Sequence, residues 1–229
     1  MFNFFKKDKT KQLYPELKPG ERIVKLIKEF LEPELSKDGF AFSKSKIQFN
    51  KLNDIFEYHI SFSRSRYNSG NECVRFDVML SVFSPRYASW EKKFYDLPKK
   101  QNGFISSGYN EDRKNGDKQF YESGWYDLAK HHNEKLMNVI LNNLKTAGLA
   151  YFDNFKDINT AIHSLMEYPI ANMETITDFY IMTGRVDEAK LFFENNKAWH
   201  EEQISKADPY FMPNQLEPYK LRETKLAQL

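Results

Sequence analysis

The chain has 229 residues, 34 Lys and Arg against 32 Asp and Glu, and a net charge of +2 at pH 7. Balanced charge argues against a dedicated nucleic-acid binder, which gathers a basic excess on one face. A single cysteine, Cys73, excludes an internal disulfide and a multi-cysteine zinc site and fits a reducing, cytoplasmic compartment.

With 41% hydrophobic and 29% charged residues the composition is that of an ordinary globular protein. The 20 Phe and 13 Tyr predict a core built largely of rings, each burying a large area. The length fits one domain with an extension. No apolar run is long enough to predict a membrane span. The opening "MFNFFKKDKTK" puts aromatics ahead of lysines, the reverse of a secretory signal, and reads as a frayed terminus.

Ile23, Leu26, Ile27, Phe30 and Leu31 recur at helical spacing between Pro19 and Gly39. They predict a first helix, kinked near Pro33. Phe40 and Phe42, then Ile47 and Phe49, alternate with a change of parity, which predicts strand structure interrupted by a bulge or turn near Ser45. Phe56, Tyr58, Ile60 and Phe62 define the inner face of the next strand, and Val74, Phe76, Val78, Leu80 and Val82 that of the one after. "YNSGNE" between them has the Asn, Ser and Gly of a hairpin connection. One face of this antiparallel meander is apolar, the other polar.

After Ser84 a short helix over "SPRYASWEKKFYD" and strands at "NGFISSGYN" and "KQFYES" are predicted, flanking the solvated turn "NEDRKNGDK". A long helix is predicted from about Trp125 to Ala147, ended by Gly148. Asp157 is an N-cap candidate, and two helices flank Gly184. Pro209, Pro213 and Pro218 predict an extended tail.

These elements define an α+β fold: an antiparallel sheet of about five strands, packed by an N-terminal and a long C-terminal helix. A composition shift near Pro169 divides the chain into an α+β core, 1–169, and a helical appendage, 170–229, held through Phe179, Phe192 and Phe193.

"LEPELSKDGFAF", "ISFSRSRYNSG" and "VRFDVMLSVF" together resemble the bacterial domain of unknown function 4304. Gly39 and Phe40 match its first element, Phe62, Ser65, Arg66, Tyr67 and Asn68 its second, and Phe76, Val78, Val82 and Phe83 its third. "SGWYDL" and "LAYFDNFKDINTAI" are similar to its later portion, so the resemblance covers roughly Glu21 to Glu167. Ser63, Met79 and Ser81 depart from the pattern, which has Gln, Asn and Gly at those places. The resemblance implies an α+β domain without an assigned chemistry. Such families often accompany toxin and immunity genes, which implies a protein partner.

No residue pattern defines a catalytic centre, a metal site or a cofactor. His131 and His132 are adjacent in the long predicted helix, so their side chains diverge and cannot form the i, i+4 pair of a zinc helix. His163 and His200 stand alone in predicted helices. His59, Ser61, Ser63 and Asp77 share the polar sheet face, but a flat strand supplies no oxyanion hole.

The candidate partner-binding residues are Arg64, Arg66, Tyr67, Asn68, Arg75 and Asp77, around the hairpin and the polar face beside it. Arg64 and Arg66 continue the inward parity of Phe62. The favoured reading is structural, an ion pair with an acid such as Glu134 or Asp153. The other reading is an open cleft that binds an anionic group or an acidic partner surface. A cytoplasmic, non-enzymatic protein-binding domain, of immunity type, is therefore the leading functional expectation. An enzyme acting on a small or phosphorylated substrate at the polar face is the second. A single-strand nucleic-acid binder stacking bases on Tyr67, Tyr87 and Trp90, beside Arg64, Arg66, Arg75 and Arg86, is the third.

Overall fold

The computed structural model describes residues 11–108, 120–206 and 212–229. The opening segment up to Thr10, the turn "NEDRKNGDK" and Pro209 lie outside them. Among the described residues seven strands form one sheet, against about five expected: β1 (Ala41–Ser43), β2 (Gln48–Leu52), β3 (Glu57–Arg64), β4 (Arg75–Phe83), β5 (Phe104–Gly108), β6 (Tyr121–Glu122) and β7 (Trp125–Asp127). Their order is β1-β2-β3-β4-β7-β6, with β5 also on β4. The chain forms two units interleaved in sequence: Met1–Leu52, Glu57–Val82 and Ser106–Asp153 make the first, and Asn53–Phe56, Phe83–Ile105 and Asn154–Leu229 the second. The boundary read near Pro169 falls inside the second.

In the first unit, α1 (Pro19–Leu26) runs through a π turn (Ile27–Leu31) into α2 (Glu32–Leu35). The π turn lies just before Pro33, whose ring and missing N–H disturb the preceding helical turn. Gly39, at φ 85°, caps the end in the left-handed region. The parity change near Ser45 is a turn: β1 pairs antiparallel with β2, Ala41 opposite Asn50. Tyr58, Ile60 and Phe62 on β3 and Phe76, Val78, Leu80 and Val82 on β4 are all buried, as their alternation requires.

The long helix starts later than expected. Trp125–Asp127 is β7, and α4 (Asn133–Asn143) begins after it. Ser123 and Gly124 both have positive φ, 51° and 85°, which closes a two-residue hairpin that pairs Glu122 with Trp125. His131 and His132 accordingly precede the helix, and the His132 ring accepts the Lys135 N–H as its N-cap. Gly148 does not end the helix. It sits in a π turn (Leu144–Gly148) that continues into α5 (Leu149–Asp153). A Cβ there would lie 3.6 Å from Leu80 of β4, so the missing side chain lets the helix approach the sheet. Phe152 then packs 4.9 Å from Tyr58 and 5.8 Å from Phe40.

Arg22 of α1 is fully buried, and among the described residues it has no carboxylate within ion-pair distance. Its Nε donates to the Leu13 carbonyl at 2.8 Å and its Nη2 to Asn133 Oδ1 at 2.8 Å. Burial lowers its pKa from the ordinary arginine value. Two segments remote in sequence are tied together through this one side chain.

The second unit contains α3 (Pro85–Phe94), α6 (Ile158–Leu165), α7 (Met173–Met182), α8 (Val186–Lys206) and α9 (Met212–Leu226). Ser84 caps α3 by accepting the Tyr87 N–H at 3.0 Å, and Asp157 with Thr160 forms a capping box on α6. The expected extended tail is instead α9. Pro213 stands second in it, where a missing N–H costs little, and Pro218 lies inside it. Phe56 packs against Phe155 and Phe179, and Phe193 stacks on Tyr219 at 5.2 Å. Among the described residues no helix is long and apolar enough to cross a membrane.

Phe76 is fully buried between Phe62 and Tyr126. Phe76→Ala is expected to lower unfolding stability by about 3–5 kcal/mol, measured as a shift of the denaturant midpoint with little change in slope.

Candidate functional site

Side-chain hydrogen bonds to the backbone close the β3–β4 connection. Asn68 acts as a false strand partner to Arg75: its Nδ2 donates to the Arg75 carbonyl at 2.8 Å and its Oδ1 accepts the Arg75 N–H at 2.6 Å. The Ser65 N–H donates to the same carbonyl at 3.1 Å, and its hydroxyl accepts the Tyr67 N–H at 3.2 Å. Ser69 and Cys73 close a bridge above them. What this frame leaves outward is Tyr67, 66% exposed, with the Arg66 guanidinium 4.8 Å from its ring centre and donating to its hydroxyl at 2.6 Å. Such a stack contributes about 0.5–1 kcal/mol at an exposed site, enough to bias both side chains toward one arrangement.

The favoured ion pairs of Arg64 and Arg66 do not form. Glu134 lies 3.6 Å from Lys11 instead, and Asp153 is exposed with no bond to either arginine. The parity of Phe62 carries Arg64 to the α1 side of the strand, where its head lies over Gly20. A Cβ at Gly20 would collide with Arg64 Nη1, so a side chain there would make the guanidinium shift from its present place.

The remaining candidates are held by the fold. Arg75 Nε donates at 3.0 Å to Asp127, a buried carboxylate that also accepts the Val74 and Ala129 N–H groups. Asp77 accepts the Tyr121 hydroxyl at 3.1 Å. On the polar face His59 Nε2 lies 2.8 Å from Glu57, and the Ser61 hydroxyl donates to Gln48 at 3.1 Å. Tyr87 is 5% exposed and hydrogen-bonded within the second unit, which removes it as a base-stacking platform. Among the described residues no group of His, Cys, Asp and Glu is placed to hold a metal.

The second unit has a charged cluster that no motif announced. Asp178 of α7 is fully buried and accepts from Arg222 Nε at 3.1 Å, from the Tyr87 hydroxyl at 2.7 Å and from the Tyr95 hydroxyl. Arg222 of α9 also reaches Glu91 of α3 at 2.9 Å. Burial first, and the Asp178 charge second, push both phenols up, so each keeps its proton and donates it. An open cavity of about 820 Å³ adjoins the cluster, lined in part by Glu91, Glu174 and Glu217. Burial pushes the Glu174 and Glu91 carboxyls up, against the opposing pull of Arg222. The cluster latches α9 to α3 and α7.

Set beside family models, curated proteins and solved structures, the chain matches none of them.

Arg222→Ala strands Asp178 without a cation, and unfolding is expected to become easier by about 3–5 kcal/mol in a chemical melt. Glu174 behaves differently. Its folded pKa is raised, so its contribution to stability is full below the unfolded carboxyl value and is lost as pH rises through the folded one. Glu174→Gln removes that loss. Thermal melts of variant and wild type are expected to coincide near pH ~4, with the variant melting higher at pH ~8.

Proposed function

We propose that the chain is a non-enzymatic, cytoplasmic protein-binding domain that meets its partner with the end of the β3–β4 hairpin. The observation that carries this reading is the Arg66–Tyr67 pair, set outward on a tip whose backbone Asn68 and Ser65 already hold in place. Tyr and Arg dominate binding energy at protein interfaces, and a surface ordered before association has less entropy to lose on binding. The resemblance to domain of unknown function 4304, whose second motif element spans these residues, supports the same reading and with it an immunity-type role. Catalysis at the polar sheet face has less support, since His59 and Ser61 are engaged with Glu57 and Gln48.

The test is affinity capture from cell extract with wild type and with Tyr67→Ala, followed by titration of the captured protein. Tyr67 is exposed, so the variant is expected to keep the wild-type melting temperature while losing the partner by at least about 2 kcal/mol. Equal recovery of the same proteins by both would end this reading.

A further inference from the structure

The cleft beside Arg64 has one sign of charge in excess. Lys25 of α1, Lys28 of the π turn, Lys44 of the β1–β2 turn and Arg64 at the end of β3 line one opening of about 490 Å³. Glu21 is the single carboxylate among its lining residues. Among the described residues none of the four cations has a carboxylate within ion-pair distance. Lys25 is placed only over the Tyr14 ring, at 5.3 Å from its centre. Cations gathered on a concave, low-dielectric wall focus a positive potential into it.

The cleft also has an apolar lining. Leu17, Val24 and Ile47 contribute to it, and Ile47 is held at φ 49°, a left-handed conformation that a β-branched residue adopts only when its surroundings impose it. Its carbonyl accepts the Phe62 N–H at 3.0 Å, which ties the turn to β3. Among the described residues no aromatic ring lines the opening, so none of them offers a base a stacking surface there. Aliphatic floor and cationic rim together fit a chain that alternates carboxylates with aliphatic side chains.

We propose that this cleft receives an acidic segment of a partner protein, with its carboxylates on Lys28, Lys44 and Arg64 and an aliphatic side chain on Leu17, Val24 and Ile47. The inference rests on the reading of the hairpin end as a partner surface and names the chemistry of what binds beside it. Gly20 then has a functional consequence: it allows the Arg64 head to reach the cleft.

The probe is a fluorescein-labelled peptide of alternating Glu and Leu, followed by anisotropy against the full chain at low and high salt. Its controls are the same peptide with Gln for Glu, a single-stranded oligonucleotide of equal charge and anionic phospholipid vesicles. The Glu peptide is expected to bind, more weakly at high salt, and the Gln peptide to fail. Lys28→Glu with Arg64→Glu should weaken binding at least about tenfold, since charge reversal at an electrostatic contact costs on that scale. Both positions are exposed, and a melting curve checks the fold. Gly20→Ala is the second variant: it deletes no charge, favours the helix, and should weaken binding by displacing Arg64. The proposal is overturned if the Glu peptide does not bind at millimolar concentration, if the Gln peptide, oligonucleotide or vesicles bind as well, or if both variants bind as wild type does. With the captured partner the two readings separate. If only Tyr67→Ala loses it, the cleft proposal fails and the hairpin reading stands. If only the cleft variants lose it, the reverse holds.

Discussion

The two-residue period of β3 constrains everything around it. Tyr58, Ile60 and Phe62 must all face the core, because a shift of one residue would put three buried side chains in water. That parity does not stop where the core stops. Arg64 inherits it and is delivered to the α1 side of the sheet, where its side chain stays exposed. The strand ends there, and α1 accommodates the guanidinium by having no side chain at Gly20. From the same constraint follow the buried aromatic layer, the position of the tip and the unbalanced charge in the cleft.

The second unit solves a different problem. A carboxylate as buried as Asp178 would be costly alone, and it is held by a guanidinium from α9 and two phenols from α3 and its C-cap. Arrangements of this kind give little net stability compared with an apolar core of equal size, and losing one partner leaves a buried charge uncompensated. Glu174 feels the same guanidinium, but burial outweighs that attraction. Burial pushes it toward its neutral form beside an open cavity, so its ionisation as pH rises from the acid range works against the folded unit.

Where a local period governed the structure, the sequence could be read. The inner faces of β3 and β4, the turn near Ser45, the Asp157 cap and the break at Gly184 all follow from alternation or from turn residues. The failures were places where two local rules compete. Trp125 and Leu128 are three apart and suit a helix, yet Ser123–Gly124 turns the chain back into a hairpin first. Gly148 and Pro218 are ordinary breakers, and each lies within helical structure here. For the site, Arg64, Arg66 and Tyr67 stood out through their parity and loop chemistry, whereas nothing local told that Glu134 and Asp153 would pair with neither arginine. Lys25, Lys28 and Lys44 are unremarkable in their own segments and line one cleft only when α1 and the β1–β2 turn meet Arg64. The Arg222 cluster joins residues 44 and 131 apart, a separation at which no spacing rule operates.

Those separations matter while the chain is being made. Glu91 leaves the ribosome 131 residues before Arg222, roughly 7 to 26 seconds at ordinary elongation rates, and Asp178 leaves it 44 residues before, roughly 2 to 9 seconds. Until the cation emerges, both carboxylates are better left in water than packed against tyrosines. The nascent second unit therefore cannot close its charged centre early, and the segments Asn53–Phe56 and Phe83–Ile105, synthesised long before, must wait for it. The pairing that latches α9 in the finished protein also sets the earliest moment at which half of that protein can become native.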